Sequence, residues 1–265
     1  VKLAVLGDPV AHSLSPALHQ AALDATGIPG EYRALRVDAD GMVDAVDAIR
    51  RGELDGANVT MPHKARALEL VDDAVEAARR AGAVNTLVRV AGRVIGHNTD
   101  IGGVQTAWQW GGLPDGGSVI VLGAGGAAAA AVLALEGRDL TIAARRPATA
   151  EDLLVRLGVA GRVTDLTSPV PGGVLVNATP IGMRGEHLPD VMLREASGLF
   201  DMAYGPAPTP AVRWARREGL PVVAGPDMLL AQAMASFRLW TGRPAPETAM
   251  RRALERAQGA PSGTA

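Results

Sequence analysis

The run Gly123-Ala124-Gly125-Gly126-Ala127-Ala128-Ala129-Ala130 stands between an apolar stretch, residues 118–122, and an alanine-rich segment without proline. Strand, glycine turn and helix in that order place backbone N–H groups and the positive end of a helix where a phosphate can sit. Gly123 would permit the tight turn, Gly125 would let the backbone approach a pyrophosphate, and Ala128 would let the helix lie close to its strand. A glycine turn packed under a small-residue helix would show the same pattern without a ligand. The next strand, expected over residues 140–144, bears on that choice. A carboxylate at its end accepts from the ribose 2′-OH in an NAD site, yet the chain reads Ala144-Arg145-Arg146-Pro147. Two guanidinium groups suit a 2′-phosphate, which arginine holds through paired, charge-assisted hydrogen bonds. The pattern therefore points to NADP rather than NAD.

Four further segments are rich in small polar residues: Gly7-Asp-Pro-Val-Ala-His12-Ser13-Leu-Ser15-Pro16, Asn58-Val-Thr60-Met-Pro62-His63-Lys64, Ala83-Val-Asn85-Thr86 and His97-Asn98-Thr99-Asp100. Ser13 or Ser15 would cap a helix beginning at Pro16, but capping leaves the other serine and His12 unexplained. Lys64, just past a strand end, is a candidate general acid/base if burial or neighbouring cations lower its pKa; otherwise it is a solvated surface lysine. Asp100 would serve as the N-cap of the helix that follows. The histidines at 12, 19, 63, 97 and 187 lack metal-ligand spacing, and His63 and His97 read as structural or solvent-facing. There is no Gly-x-Ser-x-Gly elbow to support a serine hydrolase.

The elements that must position these residues alternate between strands and helices. Strands are expected over 2–6, 32–37, 56–60 and 85–90, with helices over 16–26, 41–51 and 71–81. A second series has strands over 119–122, 140–144, 173–176, 198–201 and 221–224, with helices over 126–136, 148–157 and 210–218. Two closing helices, 228–241 and 246–257, have no strands of their own and are expected to return to the first series. This is an α/β chain. Its 265 residues are enough for two domains, here 1–104 with 226–265 and 105–225. At 48% hydrophobic and 20% charged residues the chain is globular. A net charge of −2 offers no electrostatic case for nucleic acid or an anionic membrane. The absence of cysteine rules out disulfides and thiolate chemistry. The apolar start ends at Gly7 and reads as a strand rather than a signal peptide, and no apolar segment approaches membrane-spanning length, so a cytoplasmic protein is expected. The tail after Gln258 reads as disordered.

In order, these segments resemble the shikimate dehydrogenase family from Gly7 to about Ala249. The resemblance is carried by Gly7-x-Pro9-x-x-His12-Ser13-x-Ser15-Pro16-x-x-His19, Asn58-Val59-Thr60-x-Pro62-x-Lys64, Gly82-Ala83-Val84-Asn85-Thr86 and Asn98-Thr99-Asp100-x-x-Gly103. It continues through Gly123-Ala124-Gly125-Gly126-Ala127, Asn177-Ala178-Thr179-Pro180-x-Gly182-Met183, Asp201-x-x-Tyr204 and Gly225-x-x-Met228-Leu229-x-x-Gln232-Ala233. It implies an N-terminal α/β substrate domain, a Rossmann-like NADP-binding domain, C-terminal helices returning to the first domain, and an active site in the cleft between domains. It implies NADPH-dependent reduction of 3-dehydroshikimate to shikimate in the shikimate pathway of aromatic amino acid and chorismate biosynthesis, by a monomer or homodimer. Carried over by position, Ser13, Ser15 and Tyr204 would bind the substrate carboxylate, and Thr60, Asn85, Asp100 and Gln232 the ring hydroxyls. Lys64 would be the acid/base, with Asp100 as its partner. Gly123, Ala124, Gly125, Gly126, Ala127, Arg145, Arg146 and Thr179 would meet the cofactor, with Gly225 and Met228 at the nicotinamide. No metal is implied. The chain departs from the family at Ala144-Arg145-Arg146, where Asn-Arg-Thr or Asn-Arg-Ser is usual, and at Gln20, where Asn is usual. Two other readings stay open: a quinate/shikimate dehydrogenase with relaxed or NAD cofactor use, and a non-catalytic sensor on the same fold. The acidic-residue gap at 144–147 speaks against NAD, and the intact Lys64 and Asp100 against a sensor.

Overall fold

Strands and helices alternate along the chain, as the apolar patterning dictates, and segregate into two units, each with its own sheet. The structure, a computed structural model, describes residues 1–259 except Pro169, Pro171 and Pro206. The tail expected to be disordered lies, from residue 260 onward, outside the described residues. One unit is Val1–Thr99 with the chain from Leu229 onward; the other is Asp100–Met228.

The first unit contains β1 (Lys2–Gly7), α1 (Ser15–Thr26), β2 (Glu31–Arg36), α2 (Ala39–Arg51), β3 (Gly56–Val59), α3 (Lys64–Leu70), β4 (Asp73–Ala74), α4 (Glu76–Ala81), β5 (Thr86–Val90) and β6 (Arg93–His97). Its sheet runs β2-β1-β3-β5-β6-β4. β1 is parallel to β2 and β3, whereas β5 is antiparallel to β3 and β6. The apolar face of α2 (Met42, Ala45, Val46, Ile49) packs in one core with Ala4, Leu6, Ala57 and Leu87 of the sheet.

The second unit takes in nearly all of α5 (Thr99–Trp110), then β7 (Ser118–Leu122), α6 (Gly126–Ala134), β8 (Asp139–Ala143), α7 (Pro147–Leu157), β9 (Arg162–Thr164), β10 (Val174–Asn177), α8 (Asp190–Leu193), β11 (Gly198–Asp201), α9 (Pro210–Arg217) and β12 (Val222–Val223). Its sheet is parallel in the order β12-β11-β10-β7-β8-β9. This is the Rossmann-like doubly wound arrangement, with the switch point between β7 and β10. The buried runs of β7, β8, β10 and β11 fit strands covered on both faces.

α10 (Gly225–Thr241) and α11 (Glu247–Gly259) close the chain. From Leu229 they belong to the first unit, where α11 packs on α1 and Trp240 Nε1 donates to Leu87 O at 2.9 Å. The closing helices thus return to the first unit, as their lack of strand partners implied.

Three local expectations are corrected. Residues 71–81 are not one helix: Val71 is extended, β4 pairs with β6, and only Glu76–Ala81 is helical. Asp72 decides this, because its N–H bonds Val94 O at 3.0 Å and its carboxylate accepts from Val94 N at 2.7 Å. Neither serine caps α1. Its N-cap is Leu14, while Ser13 Oγ accepts from Ser15 N at 3.3 Å inside the preceding turn. Asp100 is the second residue of α5 rather than its cap, since the helix starts at Thr99, whose N–H is taken by Asn85 Oδ1 at 2.7 Å. No helix among the described residues is long and apolar enough to cross a membrane.

Candidate functional site

In the first unit the polar segments meet because their strands are neighbours. Thr60 N bonds Leu6 O at 2.9 Å and Asp8 N bonds Met61 O at 3.0 Å, which ties the turn after β1 to the turn after β3. A side chain at Gly7 would run into Thr60, so glycine is needed for that approach. Val59 N bonds Asn85 O at 2.8 Å and Val84 N bonds Lys64 O at 2.9 Å, bringing the start of β5 to the same edge. Ser13, Thr60 and Lys64 are half-buried there; Ser15 and Asn85 are buried. Lys64 is the first residue of α3.

Gln232 joins them through a buried hydroxyl network. Asn85 Nδ2 donates to Thr99 Oγ1 at 3.0 Å, and Thr99 Oγ1 donates to Gln232 Oε1 at 3.3 Å. Residue-by-residue reading missed the centre of this network. Ser236 Oγ is bonded to Asn58 Nδ2 and Thr86 Oγ1, each at 3.0 Å, and to Thr99 Oγ1 at 3.2 Å. Tyr32 Oη donates to Asn58 Oδ1 at 2.7 Å. Ser236 lies one helical turn after Gln232, on the same face of α10, and that spacing was the available signal. Such a network holds side-chain amides in one orientation, because every alternative leaves a buried polar atom unpaired.

His19 lies behind this network. It is fully buried, stacked on Tyr32 with ring centroids 4.4 Å apart and edge-on to Trp240 at 5.2 Å. Burial drives its pKa down to about 3, against a smaller upward pull from the Asn58 side chain, so the ring is neutral at physiological pH. Neither ring nitrogen has a hydrogen-bond partner among the described residues. His63 Nε2 bonds Val37 O at 2.8 Å, a structural role. Gln20 explains one departure from the family pattern: its Oε1 accepts from Tyr32 N at 3.2 Å and its Nε2 donates to Gly30 O at 3.3 Å, bracing α1 against β2.

In the second unit the glycine turn lies at the switch point. Gly123 N bonds Ala143 O at 2.9 Å, with φ at +108°. A Cβ there would sit 3.1 Å from both Ala178 O and Thr179 Cγ2, so Thr179 abuts the turn. Gly125 occupies the N-cap of α6 at φ −91°, ψ −167°, with no side-chain cap and no acid in the first turn. A Cβ there would meet nothing within 4 Å. Ala124 and Ala127 are half-buried, Gly126 is exposed and Ala128 is buried against the strand. Arg145 and Arg146 are exposed just past β8, one strand from the turn, and among the described residues no carboxylate pairs with them. An open helix N-terminus beside two exposed guanidinium groups fits a dinucleotide carrying a 2′-phosphate. Among the described residues no group of three His, Asp or Glu could hold a metal.

Asp100 opens this second unit and is buried. Tyr204 belongs to it as well, and burial together with the negative Asp100 raises its phenol pKa, keeping it a hydrogen-bond donor. Gly225 fits closely under Tyr204: a Cβ would lie 2.7 Å from Ala203 O and 2.9 Å from Tyr204 Cβ. Met228 is buried three residues on. The site residues are thus gathered as two groups: Ser13, Ser15, Thr60, Lys64, Asn85 and Gln232 in the first unit, Asp100, Tyr204, Gly225, Met228 and the turn with Thr179, Arg145 and Arg146 in the second.

Known proteins resemble this chain over nearly its whole length. Residues 5–87 match the family described as shikimate dehydrogenase substrate binding domain, and residues 225–255 the shikimate 5′-dehydrogenase C-terminal domain. The shikimate dehydrogenase (NADP(+)) of Rubrobacter xylanophilus is 43% identical over 266 residues, 94% of each chain. A shikimate dehydrogenase (NADP(+)) of Thermus thermophilus is 39% identical over 264 residues, 98% of this chain and 99% of the relative. A crystal structure of shikimate 5-dehydrogenase from another strain of that species, in complex with NADP(H) and shikimate, superposes with a TM-score of 0.87 at 37% identity, covering 97% of this chain and 99% of that one. With likeness this extensive in both sequence and fold, the chain belongs to the shikimate dehydrogenase family.

Proposed function

We propose that this enzyme reduces 3-dehydroshikimate to shikimate with NADPH, a step of the shikimate pathway. The observation that carries the reading is the near full-length likeness to NADP(+)-dependent shikimate dehydrogenases, in a chain that keeps Lys64, Asn85, Asp100, Tyr204 and Gln232. The cofactor supplies the hydride, and the helix start at Gly125–Gly126 with Arg145 and Arg146 holds its phosphates.

Hydride arriving at a carbonyl carbon leaves negative charge on the oxygen, which needs a proton and a positive field as it forms. Lys64 is the residue proposed to give that proton, with Asp100 as its partner. Lys64 is half-buried at the first turn of α3. Asn85 and Gln232, locked through Thr99 and Ser236, present amides to ring hydroxyls in a fixed sense. Thr60 adds a hydroxyl from the same edge. Ser13, Ser15 and the neutral phenol of Tyr204 donate to the carboxylate. A site built this way rejects a misfitting polyol, because each unmatched buried polar group costs about 1–3 kcal/mol.

The test is reduction of NADP⁺ followed at the nicotinamide absorbance with shikimate, then with quinate, then with NAD⁺ in place of NADP⁺. Turnover with shikimate and NADP⁺, with much lower kcat/KM for quinate and for NAD⁺, is the expected result. Comparable kcat/KM for shikimate and quinate would assign a quinate/shikimate dehydrogenase instead. No turnover, with dinucleotide binding retained, would assign a sensor.

A further inference from the structure

Asp201 ends β11 beside Asn177, the last residue of β10, and its side chain is fully buried. No Lys or Arg among the described residues pairs with it. Its partners are neutral: Asn177 Nδ2 donates at 2.8 Å, Ala203 N at 3.1 Å and Thr209 Oγ1 at 2.5 Å. A carboxylate buried without a cation is unfavourable, and here burial raises its pKa. The strands do not need it, because β11 completes its ladder with backbone groups. What the carboxylate does hold is a pair of loops.

On one side Asn177 passes the orientation on. Its Oδ1 accepts from Thr179 Oγ1 at 2.6 Å and Thr179 N at 3.1 Å, and Thr179 Oγ1 accepts from Ile181 N at 3.1 Å. Asn177 Nδ2 also donates to Ile181 O at 2.9 Å. This is the loop whose Thr179 abuts Gly123. On the other side the bond to Ala203 N fixes the backbone one residue before Tyr204, over the close approach of Gly225.

We propose that Asp201 is a positioning residue that sets two loops at once, the Thr179 loop toward the dinucleotide and the Ala203–Tyr204 segment toward the substrate carboxylate. The identity of the two ligands rests on the proposed function above. Removing the side-chain oxygens disturbs both loops, because Oδ1 accepts from Asn177 Nδ2 and Ala203 N together; an asparagine keeps both bonds on its amide oxygen and can turn its NH2 to Thr209 Oγ1.

The test compares Asp201→Ala with Asp201→Asn, Asn177→Ser and Thr209→Val. Kd for NADP⁺ is read by fluorescence titration without substrate, and kcat and KM for shikimate at saturating NADP⁺; melting temperature controls for folding. Asp201→Ala is expected to raise both Kd for NADP⁺ and KM for shikimate by about ten-fold, the effect of one lost hydrogen bond in each loop, with a smaller change in kcat, and Asp201→Asn, which keeps both loop bonds, to restore both constants to within about two-fold. Asn177→Ser should raise Kd for NADP⁺ alone. Thr209→Val, which removes the partner leading only to the start of α9, should lower the melting temperature and leave both constants within about two-fold. A folded Asp201→Ala protein with both constants unchanged would overturn the proposal, as would loss of folding in that variant, which would make Asp201 structural only. Wild-type turnover is measured first. If shikimate is not oxidised, the functional reading fails while the NADP⁺ titration still decides the Thr179 half.

Discussion

Replacing Gly125 by alanine should damage dinucleotide binding and leave the fold nearly intact. Its backbone, at φ −91° and ψ −167°, is open to any residue, and an added Cβ meets nothing within 4 Å. The cost to folding is that of exchanging glycine for alanine at an N-cap, roughly 0.5–1 kcal/mol. The open side of Gly125 is where the pyrophosphate is proposed to approach the α6 N–H groups. A methyl group there should cost about 1–3 kcal/mol of binding, by analogy with overpacking in a filled site, or about 5- to 150-fold in Kd. Gly123→Ala should behave in the opposite sense. There φ is +108°, and the new Cβ would press on Ala178 O and Thr179 Cγ2 at 3.1 Å. The backbone strain alone is of order 1–3 kcal/mol, so the melting temperature should fall by several degrees. Thermal melts followed by circular dichroism and NADPH fluorescence titrations measure both quantities on each variant. A Gly125→Ala protein that binds NADPH within two-fold of wild type would show that the turn does not receive the pyrophosphate.

Lys64→Ala should lower kcat by about 10²–10⁴ with a smaller change in KM, the usual weight of general acid–base catalysis; wild-type kcat would remove Lys64 from the chemistry. Replacing Arg145 and Arg146 together with alanine should weaken NADPH by about 1–3 kcal/mol for each charge-assisted hydrogen bond removed, toward the lower figure because both are exposed. NADH binding should hardly change, and an unaltered NADPH titration would refute the assignment. His19 should make the protein acid-sensitive. Its pKa is about 3 when folded and about 6.5 when unfolded, so between these values the unfolded chain binds the extra proton. Stability from this group is therefore complete above the unfolded value and declines as pH falls, by about 1.4 kcal/mol per unit. Denaturant titrations from pH 7 to pH 4 should show a shallower decline in His19→Phe, and identical slopes would contradict the burial argument.

Much of the second unit was legible because its signals lie between adjacent residues. An apolar run, a glycine with positive φ and an alanine-rich helix are all contained in residues 118–134, and the structure reproduces them as β7, the Gly123 turn and α6. The two arginines after β8 were readable for the same reason. The family resemblance rested on the order of short motifs, which survives without knowledge of contacts. Tertiary structure decided what depends on which strands are neighbours. Residues 71–81 carry apolar spacing that suits a helix, yet the bonds of Asp72 to Val94 draw the chain into a strand beside β6. Asn58 was visible as a motif residue, but its partner Ser236 is 178 residues away and is set by the return of α10 to the first unit. Asp201 likewise became intelligible only once the register of β10 and β11 placed it beside Asn177. Local backbone preferences are written in neighbouring residues, whereas a buried hydrogen bond needs two groups brought together by the whole fold, and no spacing along the chain encodes that meeting.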